Sequence, residues 1–227
     1  MPKRKEDFFT GEYYHIFNRG VDKRKIFLNK GDLYYFFDTM NISNTDISLD
    51  STQRSKKRKD LKNDLKDSSA IVKIVSYCLL PNHFHLILKQ EVEGGISKFM
   101  NRLGTSYSQY FNTKYNRTGT LFQGRFKANR LTGEGKLPMS LELTSAYVNL
   151  NYKHHNYNIK KDLIKTSIFE YLGEEKGESI CNTNEINRII NSIGGIKTYK
   201  EWAKVQSKNF IIKHGNDFDD VNFEELK

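Results

Sequence analysis

The sequence is short of the usual external braces. It has two cysteines, Cys78 and Cys181, isolated from each other, which argues against a disulfide framework and against a cysteine-rich zinc site. No run approaches the roughly 18 apolar residues of a membrane-crossing helix. The Met1-Pro2-Lys3-Arg4 start is not followed by an apolar stretch, so a soluble intracellular protein with no membrane partner is expected. Apolar residues make up only 37% and the mean hydropathy is −0.69, which fits a modest core with substantial polar additions. Acid is scarce too: 27 Asp and Glu stand against 37 Lys and Arg, for a formal net charge of +10. That surplus points to a polyanionic partner, nucleic acid before an anionic membrane surface. No internal repeat is found.

What is present is a chain of 227 residues, enough for one domain with appendages. Its 13 Tyr and 15 Phe suit stacking on unpaired bases, although most belong in a core. Tyr13 to Phe17 predicts a strand ending at Asn18-Arg19-Gly20. Asp32 to about Asn41 predicts a helix, with Leu33, Phe36, Phe37 and Met40 on one stripe. From Ile42 to Ser69 the pattern fails. This inserted stretch holds the basic run Arg54, Lys56, Lys57, Arg58 and Lys59, with a short helix expected near Lys56 to Leu65; the run is either a solvated face or a nucleic-acid contact. Ile71 to Leu80 is an apolar, β-branched strand, and Pro81-Asn82 turns it into an antiparallel hairpin with the next. Gly94-Gly95 stops that strand. A helix with Ile96, Phe99, Leu103, Tyr107, Tyr110 and Phe111 on its buried stripe follows. Leu121 to Leu131 is a strand or extended loop with a basic side. A further helix is expected from near Pro138 to about His154, placing Tyr147 and Asn151 on one face. The order strand, helix, strand, strand, helix, strand, helix is that of a ferredoxin-like split βαβ sandwich, an α+β fold with a central antiparallel sheet and helices on one side. Beyond Tyr157, helices are expected at Asp162 to Leu172, Asn184 to Ile193 and Tyr199 to Ile212, then an acidic tail. Residues 1–157 therefore read as the main domain, with the insertion at about 42–69, and 158–227 as a helical extension.

The most informative stretch is Pro81-Asn82-His83-Phe84-His85-Leu86-Ile87-Leu88. On a strand, successive side chains alternate between faces, so Phe84, Leu86 and Leu88 share a greasy face while His83 and His85 lie two residues apart on the other. Two imidazoles so placed suit one metal ion; taken alone, a strand with two solvated histidines explains them as well. Two imidazoles leave a metal under-coordinated, and the amide oxygen of Asn151 is a third donor. Tyr147, one helical turn earlier, would bring a phenol to the same ion. A cation, a hydroxyl and a basic, aromatic-rich surface together allow phosphodiester transesterification. Tyr107, Tyr110 and Tyr115 are rival tyrosines better suited to core packing or base stacking. His154 and His155 suit a solvated helix end, and His15 a place in the sheet.

Four segments resemble the HUH single-tyrosine transposases, in particular the REP-associated tyrosine transposase branch of the insertion-sequence transposase-like proteins. They are Tyr14-His15-Ile16-Phe17-Asn18-Arg19-Gly20, then Leu80 to Leu88, then Tyr110-Phe111-Asn112 with Arg117 to Lys127, then Tyr147-Val148-Asn149-Leu150-Asn151. The resemblance spans roughly residues 11 to 155 in the right order. This chain differs in having Tyr152-Lys153 where relatives usually have Pro after the Asn, and Phe122 where a Trp is expected. The resemblance implies the HUH endonuclease fold and a Mg²⁺ or Mn²⁺ ion bound by His83, His85 and Asn151. It implies a Tyr147 that forms a 5′-phosphotyrosine link to single-stranded DNA, often beside a hairpin. Arg19, Arg117, Arg125, Lys127 and Arg130 are then the expected DNA contacts, in a bacterial or archaeal cytoplasm at the nucleoid. Both a homodimer donating the tyrosine across subunits and a monomer occur among relatives. The alternative is a catalytically silent single-stranded DNA-binding or regulatory protein of the same fold.

Overall fold

The computed structural model describes residues 7–47, 58–65, 68–131, 140–175 and 177–214. Its strands are β1 (Tyr13–Arg19), β2 (Val72–Leu79), β3 (His83–Gln90), β4 (Lys127–Leu131) and the two-residue β5 (Lys165–Thr166). They form one sheet in the order β4-β1-β3-β2-β5, every neighbouring pair antiparallel. The first four strands thus have the split βαβ arrangement, with β3 inserted between β1 and β2. Helices α1 (Lys30–Ser43), α2 (Arg58–Asp64), α3 (Gly95–Lys114), α4 (Leu141–Asn149), α5 (Asn151–His154), α6 (Ile168–Tyr171), α7 (Thr183–Ser192) and α8 (Ile196–His214), with a short 3-10 turn at Val21–Lys23, complete the described elements. Arg54, Lys56, Lys57, Pro138 and the acidic tail lie outside the described residues.

The pleat sorts the core into two layers. Tyr14, Ile16, Phe84, Leu86 and Leu88 are buried on one face, where the Phe84 ring meets Phe36 of α1 at 5.2 Å. On the opposite face His15 and His85 meet Tyr147 of α4. Helices therefore cover both faces of the sheet, where a one-sided arrangement was expected. An apolar stripe shows that a helix must bury one side, but not which face of a sheet will receive it.

Helix α1 begins at a capping box. Asn29 Oδ1 accepts from the Asp32 amide at 3.1 Å, and the Asp32 carboxylate accepts from the Asn29 amide at 3.2 Å. The buried Asp32 also accepts from Lys114 Nζ at 2.6 Å, from Tyr115 Oη at 2.7 Å and from Tyr110 Oη at 3.1 Å, tying α1 to the end of α3. Two of the rival tyrosines are thereby accounted for. The third, Tyr107, is buried and donates to the Ile26 carbonyl.

Helix α4 starts at Leu141, with Ser140 Oγ accepting from the Leu143 amide at 3.2 Å. It does not run through to His154. Leu150, at φ −110 and ψ 12, interrupts it, so Tyr147 and Asn151 sit on separate helical segments. The stretch expected to be helical over Asp162 to Leu172 is mostly something else: Lys165 and Thr166 pair with Leu79 and Cys78, and only Ile168–Tyr171 is helical. Thr166 Oγ1 donates to the Asn149 carbonyl at 2.8 Å and Ser167 Oγ to Asn149 Oδ1 at 2.5 Å. Those bonds explain why the chain gives up helix here: its hydroxyls satisfy the end of α4 instead.

The C-terminal elements hold the other side of α4. Tyr199 Oη lies 3.0 Å from Ser145 Oγ and accepts from Asn149 Nδ2 at 2.9 Å, while His154 Nε2 is 2.8 Å from Ser207 Oγ. Helix α7 is fixed to the same face of the sheet by Glu185, which accepts from Tyr13 Oη at 2.7 Å and Lys89 Nζ at 3.0 Å.

Two stability outcomes are expected. Burial alone would raise the pKa of Asp32, but bonds from Lys114, Tyr115, the Leu28 amide and Tyr110 outweigh it and hold the carboxyl below its ordinary value. A depressed folded pKa contributes stability above the unfolded value of about 3.9 and loses it as pH falls through the folded one. Asp32→Asn should therefore cost about 2 kcal/mol at pH 7, a gap that closes progressively below about pH 4. Tyr199→Phe should cost about 1–2 kcal/mol by leaving Asn149 Nδ2 without its acceptor. Urea unfolding followed by the fluorescence of Trp202, the chain's one tryptophan, measures both.

Candidate active site

The register of β1 on β3 sets Arg19 opposite His83 and Phe17 opposite His85. His83 and His85 are 5% and 6% exposed, with ring centroids 5.2 Å apart and planes at 87°. His83 Nδ1 is 2.7 Å from Asn82 Oδ1. An amide oxygen only accepts, so the His83 proton sits on Nδ1 and the Nε2 lone pair faces inward. There it stands 3.3 Å from Asn151 Oδ1, a second acceptor. Two lone pairs facing each other are what a shared cation would satisfy, so these residues fit the implied metal. Among the described residues no group of three or more His, Cys, Asp and Glu side chains is arranged to hold an ion. An ion here therefore depends on the Asn151 amide.

Tyr147 stands against the same histidines. It is 2% exposed, its ring edge-on to His85 at 5.5 Å and to His15 at 5.8 Å, with His154 at 5.2 Å. The bend at Leu150 thus keeps Tyr147 and Asn151 on one side, each against one histidine of the pair.

Three histidines missed by sequence reasoning belong here. His15, read as an ordinary sheet residue, is 1% exposed, and its Nε2 lies 2.9 Å from His85 Nδ1. His154, read as part of a solvated helix end, is buried and bonded to Ser207. The His155 ring sits 4.6 Å from that of His83. The available signal was position alone: His15 follows the alternation of β1, and His154 is three residues from Asn151. Burial pushes the His15 pKa down to about 3. His85 is held well below its ordinary value by burial and then by His15 and His83, and His154 falls to about 4, again chiefly through burial. These three imidazoles are neutral at pH 7, with lone pairs available.

Beside the pair opens a cavity of about 110 Å³, walled by His83 and His85 with Arg19, Gln123, Arg125 and Lys127 and with no acidic side chain among its described lining residues. The loop before β4 forms its rim. Asn18 Nδ2 donates to the Gly124 carbonyl at 3.1 Å, the Gln123 amide donates to the Arg19 carbonyl at 2.9 Å, and the Arg19 guanidinium bonds the Gln123 side chain. Gly124 has φ 89, a conformation most side chains would strain. Three of the five basic residues expected to contact DNA thus meet at this cavity. Arg117 instead donates to Asn112 Oδ1 at 3.0 Å and faces a larger groove of about 1760 Å³. Arg130 is engaged elsewhere, 3.1 Å from Glu12 and over the Phe9 ring. The groove runs along an α3 face of Asn101, Thr105, Ser108, Gln109 and Asn112, and shares Asn18 and Arg125 with the small cavity. No described helix is long and apolar enough to cross a membrane.

No curated protein matches the chain. One solved structure, of a REP-associated tyrosine transposase bound to a REP hairpin, is 12% identical, with 82% of this chain and 96% of that one covered and a TM-score of 0.48. The family model for IS200-like transposases matches residues 50–151. That stretch contains His83, His85, Tyr147 and Asn151, and over it the chain is similar to the IS200-like transposases.

Proposed function

We propose that this protein cuts and rejoins single-stranded DNA with Tyr147 as nucleophile, at sites flanked by a hairpin. The observation that carries the reading is the meeting of His83 Nε2, Asn151 Oδ1 and the Tyr147 ring beside a cavity lined by Arg19, Arg125 and Lys127. In the cut, Tyr147 Oη bonds to phosphorus and gives up its proton, while the bond to the 3′ oxygen breaks and that oxygen leaves as a 3′ hydroxyl. The 5′ phosphate stays on the tyrosine. In the rejoining, a 3′ hydroxyl attacks the phosphotyrosine and the phenol is released, so the number of phosphoester bonds is conserved and no ATP is consumed. His83, His85 and Asn151 are the residues to hold Mg²⁺ or Mn²⁺, and such an ion supplies polarisation of a phosphoryl oxygen. Arg19, Arg125 and Lys127 hold the phosphate and offset the charge that grows on its oxygens. The long groove offers uncharged hydrogen-bonding groups to the DNA beside the cut.

The burial of Tyr147 favours a second reading, a DNA-binding protein without turnover, since a 2% exposed phenol must be uncovered before it attacks. A labelled hairpin oligonucleotide with Mn²⁺, run on a denaturing gel, separates the two. The wild type should give a covalent band. Tyr147→Phe should give none while binding DNA within about threefold of wild type, and His83→Ala, His85→Ala or a chelator should each remove it. A band that survives Tyr147→Phe but vanishes in Tyr107→Phe would move the nucleophile to α3; no band from the wild type under any condition would favour the silent protein.

Binding should also depend on salt through the cavity's cations. Replacing Arg19, Arg125 and Lys127 by Gln should make the log–log salt dependence shallower by roughly 2, about 0.7 for each single-strand phosphate that is no longer neutralised. Arg130→Gln should leave the slope unchanged, because Glu12 already holds that charge. Filter binding from low to moderate salt gives both slopes.

A further inference from the structure

An imidazole binds a metal only through a nitrogen without a proton, so each ligand needs its tautomer fixed from the far side of the ring. His83 has Asn82 for this purpose, whose amide oxygen takes the Nδ1 proton at 2.7 Å. Among the described residues the matching atom of His85 has no amide or carboxylate partner. Its partner is His15 Nε2 at 2.9 Å, brought there by the pairing of β1 and β3. The two ring planes are within 11° of parallel and their centroids are 5.1 Å apart, nearly the full end-to-end reach of two rings joined through nitrogens at 2.9 Å, the geometry of a hydrogen bond between their edges. Tyr147 stands across both rings at 85° and 90°, closing them in.

We propose that His15 is a positioning residue that accepts the Nδ1–H of His85 and thereby keeps the Nε2 lone pair of His85 free for the ion. The proposal rests on His83, His85 and Asn151 being the ion's ligands. One proton lies between the two rings. If it belongs to His85, Nε2 of His85 is a ligand atom; if it belongs to His15, the neutral His85 carries its proton on Nε2 and cannot bind. Only a His15 protonated on Nδ1 can accept from His85.

Long-range ¹H–¹⁵N correlation spectra of the full-length, metal-free protein at neutral pH read each tautomer directly, and six histidines are few enough to assign by single substitution. His85 is expected to carry its proton on Nδ1. In His15→Phe, which keeps a ring but offers no acceptor, that proton should shift toward Nε2, and Mn²⁺ titrated alone should broaden the His85 signal only at about tenfold higher concentration. His15→Gln, whose carbonyl accepts, should restore both. A wild-type His85 protonated on Nε2 overturns the proposal, as does a His15→Phe protein with unchanged tautomer and Mn²⁺ response. If His15→Phe does not fold, the wild-type tautomer and the His15→Gln titration decide. Should the tautomer be as stated while Mn²⁺ perturbs neither His83 nor His85, the reading of the metal site fails and the His15–His85 bond stands.

Discussion

The pleat of β3 is the constraint on which the rest depends. Along one strand it commits Phe84, Leu86 and Leu88 to the face packed by α1 and α3, and His83 and His85 to the face under α4. Fully burying three such side chains is worth on the order of 5–9 kcal/mol. That energy also positions the histidines, because a slip of one residue would exchange the two sets. Core and site are not separately specified. The same backbone alternation serves both, and the neighbouring strands inherit the assignment through their register.

What the sheet presents is completed by groups far away in the chain. The end of β1, the β2–β3 turn and the loop before β4 are joined by main-chain bonds, from the Gly20 amide to the Asn82 carbonyl at 2.8 Å and from Gln123 to Arg19 at 2.9 Å. Around the two histidines these segments gather Arg19, Arg125 and Lys127. Acids elsewhere on this basic protein are spent on structure: Asp32 on the α1–α3 junction, Glu185 on anchoring α7, Glu12 on Arg130. These carboxylates lie away from the cavity, whose described lining is basic.

Sequence patterns disclosed the parts of the site that obey local rules. His83 and His85 announce themselves through period two, and Tyr147 and Asn151 through spacing of four, even though Leu150 breaks the helix between them. His15 was hidden because its significance lies in a partner 70 residues away, and a histidine that fits a strand's alternation looks like any other. Arg130 likewise has a partner that its spacing does not reveal, since Glu12 meets it from a neighbouring segment. The strand at Lys165–Thr166 was illegible because two residues carry no periodicity. The layering of helices was beyond a pattern that reports only one helix at a time. In each case the missing information was a long-range pairing, not a local preference.

The fastening of α4 from behind has a consequence for how the protein is made. Synthesis runs from the N-terminus, and the 53 residues from His154 to Ser207 take roughly 3–10 s to add at 5–20 residues per second. During that interval the first four strands, His83, His85 and Tyr147 have already been made, but Tyr199 and Ser207 have not. The tyrosine helix acquires its full set of buried partners only when nearly all of the described chain has left the ribosome. A nascent or truncated chain therefore holds His83, His85 and Tyr147 without the buried partners that fix the helix carrying Tyr147.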